Sequence, residues 1–220
     1  LAAFPAGRLF GELLADNSEA IGEIADSLFA SRHYNAATDY YLMLEENGTI
    51  SLDRTRRLAF SFEMRGENHN ASKYYEAILD MASDDYWTAM RLADTYAARG
   101  EHSKALDVLL PFRSGKDKDL DYLDTLAKVY RQLERWDDVA EIYHNIDYLL
   151  PDGDNSAKGK LAWALTAMGD YDTAMEMFER ADDTPRNMAH RAVLLWLCHR
   201  RPEAIALMAQ ADSRAGQEGK

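Results

Sequence analysis

The sequence predicts an all-α chain built from six tandem repeats, each of which folds into a pair of helices. Two observations support this expectation: apolar residues recur at three- and four-residue spacing nearly everywhere, and alanine returns at one position of every repeat. No stretch alternates apolar and polar residues for long enough to require a strand. Proline (5) and glycine (12) are sparse among the 220 residues, which favours uninterrupted helices.

A period of about 34 residues organises the chain. The words Arg65–Glu67, Arg99–Glu101 and Met168–Asp170 each contain a glycine that is followed, five positions later, by a small residue. Extending this frame divides the chain into six repeats, which cover residues 18–51, 52–85, 86–119, 120–154, 155–184 and 185–211. The short fifth repeat indicates a clipped second helix that ends near Ala181.

Small side chains recur at two positions of the repeat. Position 8 is alanine in all six repeats: Ala25, Ala59, Ala93, Ala127, Ala162 and Ala192. Position 20 is alanine in five repeats and Val139 in the fourth. We expect the two helices of one repeat to approach closely at these positions, and larger residues at positions 7, 11 and 24 to fill the space between repeats.

The expected helix boundaries coincide with residues that start and stop helices. Gly66, Gly100 and Gly169 occupy position 15, where a left-handed residue would end the first helix. Residues suited to cap a first helix precede four repeats: Ser51, Asp85, Asp119 and the Thr184–Pro185 pair.

This pattern resembles the tetratricopeptide repeat family over residues 18 to about 211. Tyr34, Trp136 and Tyr171 fit the family's aromatic residue at position 17, whereas Arg191 departs at position 7. Three other repeats depart from the small residue expected at position 15, where they carry Arg32, Glu134 and His199. The resemblance implies antiparallel helix pairs stacked into a right-handed superhelix, an α-solenoid with a concave inner face.

The family geometry places positions 2, 5, 9 and 12 of the first helices on the concave face. The candidate partner-binding residues on this face are Arg56, Phe60, Trp87, Met90, Asp94, Lys128, Arg131, Trp163 and Trp196. The apolar members either face solvent and bind a partner, or are covered by neighbouring second helices or by the N-terminal segment. The cationic members either pair with a carboxylate of the ligand or pair within the groove with Asp94, Asp124 or Glu63.

The two ends of the chain fall outside the repeats. Residues 1–17 form an amphipathic helical segment that would cap the first repeat or be the remnant of an earlier one, and residues 212–220 are expected to be a flexible tail. Because the chain starts at Leu1, we expect it to be processed or cut from a longer protein. A single cysteine weakly favours the cytoplasm, and an exported location follows if a signal was removed before Leu1.

Composition and motifs exclude several classes of function. With 25 basic and 38 acidic residues, the net charge of −13 disfavours nucleic acid and anionic lipid as partners. No uncharged apolar run reaches the ~20 residues of a membrane span, so membrane insertion is not expected. No phosphate loop, zinc motif or nucleophile–base pair is present, and the nearest candidate, Cys198 and His199 with His190, fits a helix end and a turn better than a metal site. The sequence therefore predicts no catalytic residues, no metal and no cofactor.

Two functions from different classes remain. The first is a non-catalytic scaffold that binds a peptide or protein segment in the concave groove. The second is a structural or self-association module of a larger protein or assembly. In the second case the N-terminal segment or the terminal helix with Leu194–Leu197 would pack against a second copy, to form a homo-oligomer, or against another part of a longer chain.

Overall fold

The protein is described by a computed structural model that places residues 17–218. This part of the chain forms twelve α-helices and one short 3-10 segment, Leu110–Gly115, and contains no strand, which confirms the all-α class for the described residues. No helix within the described range is long and apolar enough to span a bilayer. The chain divides into two compact units, Leu1–Pro111 and Phe112–Lys220, each with three described helix pairs.

The first unit contains the helices of the first three repeats. They are α1 (Ser18–Ala30), α2 (Tyr34–Glu46), α3 (Leu52–Met64), α4 (Asn68–Met81), α5 (Tyr86–Ala98) and α6 (His102–Leu109). Within each repeat the first helix packs against the second, and α2 packs on α3 as α4 packs on α5. The unit is therefore a continuous stack of helix pairs, the arrangement found in repeat proteins.

The second unit contains the remaining six helices. They are α7 (Leu120–Gln132), α8 (Trp136–Leu149), α9 (Lys158–Met168), α10 (Tyr171–Arg180), α11 (Pro185–Leu197) and α12 (Arg201–Glu218). Helix α8 packs on α9, and α11 contacts both α9 and α10. Helix α10 has only 10 residues and ends at Arg180, which confirms the clipped second helix of the fifth repeat.

Alanine positions 8 and 20 form the contacts between paired helices, as expected. All six alanines at position 8 are buried, with at most 2% of their surface exposed, and the residues at position 20 have at most 3% exposed. Close approach of two helices requires small side chains at the contact, because a larger side chain would hold the helix axes apart. The periodic alanines therefore set the spacing within each pair.

The first helices start at the predicted caps. The side chains of Ser51, Asp85, Asp119 and Thr184 each accept a hydrogen bond from the backbone N–H three residues later. Pro185 occupies the first turn of α11, where its missing N–H is not needed.

Every first helix ends in the same left-handed turn. All three glycines at position 15 have positive φ, but so do the non-glycine residues of the other repeats: Arg32 (62°), Glu134 (55°) and His199 (62°). In each turn the residue after position 15 donates its N–H to the carbonyl of position 11, as Arg135 does to Tyr130 at 3.0 Å. The hydrogen-bonded turn therefore forms in all six repeats, whatever residue occupies position 15.

Two large residues predicted to fill space between repeats are instead exposed. Ile24 at position 7 of the first repeat has 46% of its surface exposed, and Met208 at position 24 of the last repeat has 37%. Both lie on the outermost pairs of the described chain, where no further described pair covers them. Arg191, which replaces an apolar residue at position 7, is half-buried and lies 3.8 Å from Glu179.

The C-terminal end differs from its prediction. The sequence predicts a flexible tail over residues 212–220, but α12 continues to Glu218. Buried Ala211 holds the helix against its neighbour, and Arg214 Nη1 donates a hydrogen bond to the carbonyl of Asp183 at 2.7 Å. The predicted helical segment 1–17 lies outside the described residues except for Asn17.

Candidate functional site

A row of aromatic side chains runs along the first helices of the first unit. The ring centroids of Phe29 and Phe60 are 5.8 Å apart, and those of Phe60 and Trp87 are 6.3 Å apart. Tyr34, at the start of α2, contacts Phe29 at 5.7 Å and Phe60 at 6.0 Å. Trp87 keeps 46% of its surface exposed, whereas the other three rings are half-buried. These four residues, Phe29, Tyr34, Phe60 and Trp87, form the aromatic row.

Two arginines lie over the aromatic row. The guanidinium of Arg57 is 6.0 Å from the ring centre of Phe29, and that of Arg91 is 5.2 Å from Phe60. Such cation–π contacts contribute about 0.5–1 kcal/mol each at partly exposed sites. Arg57 also pairs with Asp26 at 2.6 Å, and Arg91 pairs with Glu63. The charges beside the row are therefore held in place from two sides.

The carboxylates beneath these arginines are fixed by buried tyrosines. Burial alone would raise the pKa of Asp26, but hydrogen bonds from Tyr41 and Arg57 outweigh burial and hold that pKa below its usual range. Burial raises the pKa of Tyr41, and its hydrogen bond to Asp26 raises it further. In the second repeat Tyr75 donates to Glu63 at 2.9 Å, and burial again raises the pKa of the phenol. At neutral pH Asp26 is therefore ionised and both phenols are neutral.

Three other predicted residues lie on first helices of the first unit. Arg56 is engaged within the chain, because its guanidinium pairs with Asp53 at 2.5 Å and with Asp85 at 2.7 Å, and not with the carboxylates proposed from the sequence. Met90 is half-buried, and the exposed Asp94 lies 3.7 Å from Arg91.

The second unit has a pocket of about 290 Å³ among its first helices. The predicted residues Lys128, Arg131 and Trp163 line it, together with residues that were not among the partner-binding candidates: Lys160, Asn187 and His190. Arg186 completes its basic wall. The ring of Trp163 stacks on that of His190 with centroids 4.3 Å apart, so one face of this tryptophan is covered.

The lysines and arginines of this pocket are not equivalent. Lys128 and Lys160 both bind Asp124, at 2.8 and 2.6 Å. Burial alone would raise the pKa of Asp124, but the hydrogen bonds from these two lysines lower it to about 2. Arg131 and Arg186 form no ion pair with any residue between 17 and 218.

The remaining predicted residue, Trp196, lies away from this pocket, on the last helix pair. Its ring is 50% exposed, and the guanidinium of Arg201 lies 5.2 Å from its centre. Val193, Ile205 and Met208 are exposed beside it and line a shallow apolar depression. The predicted set is therefore divided among three surfaces: the aromatic row, the basic pocket and this terminal apolar patch.

Several residues missed from the sequence share position 6 of the repeat. Arg57, Arg91, Lys160 and His190 all occupy it, although the family geometry predicts only positions 2, 5, 9 and 12 on the concave face. Position 6 lies one helical turn from positions 2 and 9, so its side chains share that face. The cationic and imidazole side chains that recur at position 6 could have indicated a binding surface there.

No group of three histidine, cysteine or carboxylate side chains within the described residues is arranged to hold a metal ion. Cys198 is half-buried near the end of α11, and His199 occupies the left-handed turn after it.

Over the described residues, the helix pairs, their periodic alanines and their repeated turns define an all-α repeat fold of stacked helix pairs. The family model described as "Tetratricopeptide repeat" matches residues 159–192. The solved structure of MamA, residues 41 to the end, from Desulfovibrio magneticus RS-1 is similar, with a TM-score of 0.66 and 15% identity over 75% of this chain and 93% of that one. TTC0263, a thermophilic TPR protein of Thermus thermophilus, is similar with a TM-score of 0.56 and 19% identity over 76% of this chain and 92% of that one.

At these identities the likeness establishes the fold, which is that of tetratricopeptide repeat proteins. No curated protein matches the sequence. A fold by itself does not determine a function, so what these surfaces can bind has to be argued from their own side chains.

Proposed function

We propose that this protein is a non-catalytic scaffold that binds a peptide or protein segment through side chains of its first helices. The observation that carries the proposal is the aromatic row, whose rings contact one another while Trp87 stays 46% exposed. Exposed aromatic side chains in contact with one another are typical of the centre of binding surfaces, where few residues supply most of the binding energy.

The exposed part of Trp87 is large enough to matter. A tryptophan side chain buries up to ~250 Å², so the 46% that is exposed offers about 100 Å². At ~25 cal/mol per Å², covering this surface stabilises a complex by about 2 kcal/mol, roughly a thirtyfold change in affinity. The rigid helix pairs beneath it lower the ordering cost on the side of the scaffold.

The charged side chains beside the aromatic row are suited to orienting a ligand and not to acid–base catalysis. Arg57, Arg91 and Asp26 are each held by ion pairs, and proton transfer requires a group whose pKa lies near the working pH. The pKa of Asp26 lies below its usual range instead. These groups therefore suit a fixed electrostatic frame around an apolar contact.

The proposal is tested by affinity purification from the native cell, followed by mass spectrometry and by titration of the partner so identified. Trp87→Ala should weaken partner binding by roughly thirtyfold and leave the far-UV circular dichroism unchanged. Met81→Ala is the matched control, because Met81 is 70% exposed on the second helix α4. Equal affinity of the parent and Trp87→Ala would overturn the proposal, as would an equal loss with Met81→Ala.

A second candidate function, self-association through the terminal helices, is favoured by the apolar patch on α11 and α12. Trp196 is 50% exposed and Ile205 is 64% exposed, and no described helix covers them. Light scattering of the parent and of Trp196→Ser distinguishes the candidates. A homo-oligomer that dissociates in Trp196→Ser supports self-association, and a parent that is monomeric at all concentrations contradicts it.

A further inference from the structure

We propose that the basic pocket of the second unit binds a carboxylate of an acidic peptide, with Arg131 and Arg186 as its ligands. This inference deepens the proposed scaffold function and rests on it. The pocket of about 290 Å³ lies at the small end of ligand sites, so it would take one side chain or chain terminus and leave the rest of the peptide outside.

The two arginines are available for a ligand because the nearby carboxylate is already occupied. Asp124 accepts hydrogen bonds from Lys128 and Lys160, which neutralise it. Arg131 from α7 and Arg186 from α11 line the same pocket without an ion pair to any described residue. The planar guanidinium presents a fork of donors that matches the two oxygens of a carboxylate.

The pKa of His190 responds both to burial and to the positive charges of the pocket. Burial lowers its pKa, and the charges of Arg186 and Arg131 lower it further, to about 4. His190 is therefore neutral at physiological pH and stacks on Trp163 as a neutral ring. Burial disfavours a charge of either sign, but the part of the pKa shift that Arg186 and Arg131 cause reflects a positive potential, which favours an anion.

One close helix contact at the pocket requires a glycine. Gly159 of α9 faces Asn187 of α11 so closely that a Cβ at this glycine would lie 2.2 Å from Asn187 Oδ1. The amide nitrogen of Asn187 is held by the carbonyl of Asp182 at 2.8 Å. This contact brings α11, and Arg186 with it, towards α9.

The net charge of −13 does not prevent binding of an anion here. At physiological ionic strength charges more than ~8 Å apart are largely screened. Four cations line the pocket, and the carboxylates beside them are Asp124, which is already paired, and Asp182. The local charge therefore decides the interaction, and affinity should fall as salt is added.

The test is an NMR titration of the full chain with acetylated tetraglutamate, followed at the Arg Nε–H and Trp indole N–H signals. The parent should bind the peptide, and Arg186→Gln and Arg131→Gln should each weaken binding by at least about tenfold, the usual effect of losing a charged hydrogen bond. Arg180→Gln is the matched control, because Arg180 is exposed on α10 and does not line the pocket. Arg186→Lys keeps the charge, loses the fork, and should restore binding only in part.

Two further probes define the ligand. The C-terminal amide of the same peptide separates the sources of the carboxylate: equal binding assigns side-chain carboxylates, and loss of binding assigns the chain terminus. Inorganic phosphate that binds where the peptide does not would overturn the carboxylate assignment. In the free protein, Arg186→Gln should raise the pKa of His190, because one of the two charges that depress it is gone.

Failure of this inference is distinguishable from failure of the scaffold function. If the parent does not bind tetraglutamate, or if both arginine variants bind it as tightly as the parent, the pocket proposal is wrong. The scaffold proposal stands or falls on Trp87→Ala with the native partner, because Trp87 lies in the other compact unit.

Discussion

Replacing Glu134 with glycine should stabilise the second unit, although the substitution removes a side chain. Glu134 ends α7 with a φ of 55°, in the left-handed region. This conformation costs a non-glycine residue about 1–2 kcal/mol, because its Cβ crowds the backbone. Glycine removes that strain, but it makes the unfolded chain more flexible, which destabilises the folded protein by about 0.4–1 kcal/mol. The expected gain is therefore about 0.5–1 kcal/mol.

The reverse change at the equivalent turn should have the opposite sign. Gly100 has a φ of 76°, and a Cβ there would meet no atom within 4 Å, so Gly100→Ala introduces backbone strain without a clash. We expect a loss of about 0.5–1 kcal/mol. Gly216→Ala is the control, because Gly216 lies inside α12 with open space around it and alanine is favoured within a helix by about 0.5–1 kcal/mol.

Urea unfolding followed by far-UV circular dichroism measures these differences, provided that the slope with denaturant is unchanged. Amide hydrogen exchange localises each effect, since repeat arrays can unfold in parts. A Gly100→Ala variant as stable as the parent, or a destabilised Glu134→Gly variant, would contradict the cost assigned to the left-handed conformation.

Two other substitutions test the packing and the electrostatics. Ala93→Leu should destabilise the first unit by about 1–3 kcal/mol, because the fully buried methyl lies at a close helix contact. Ala98→Leu, at the exposed end of the same helix, should change stability by less than ~0.5 kcal/mol. Thermal unfolding of both variants measures the difference, and equal effects would contradict the packing. Asp124→Asn should cost about 2 kcal/mol near neutral pH, because the pKa of Asp124 is about 2 in the folded protein and its side chain is 27% exposed. A depressed pKa stabilises the folded state above the ordinary value of 3.8, so the difference between parent and variant should shrink as pH falls from about 4 to about 2, and a pH-independent difference would contradict the ion pairs.

The pairing of the helices was predictable because it depends on residues that repeat. Ala59 and Ala93 recur at the same position of successive repeats, and the sequence alone placed them at the helix contacts where the structure has them. Caps such as Ser51 were predictable for a similar reason, since capping is a local interaction between residues three apart.

The left-handed turns were only half predictable. The glycines identified three of them, but Arg32 and His199 adopt the same conformation without being glycine. The hydrogen bond from the following residue back to position 11 closes these turns. At these positions the packing of the two helices that each turn joins therefore outweighs the preference of a non-glycine residue for negative φ.

Which side chains meet on the surface could not be predicted from local spacing. Arg91 pairs with Glu63 across 28 residues, and Lys160 pairs with Asp124 across 36. These pairs join first helices of adjacent repeats, so they depend on how the pairs stack. The expected pairing of Lys128 with Asp124 was found because both lie one turn apart on one helix.

We propose that the first helix of each repeat carries the partner-binding surface. Amide hydrogen exchange of the chain with and without a partner verified by purification tests this directly. Bound partner should slow exchange in first helices, above all in α5, which carries Trp87, and in α3, and should leave the second helices α2 and α4 unchanged. Slower exchange confined to the second helices would contradict it.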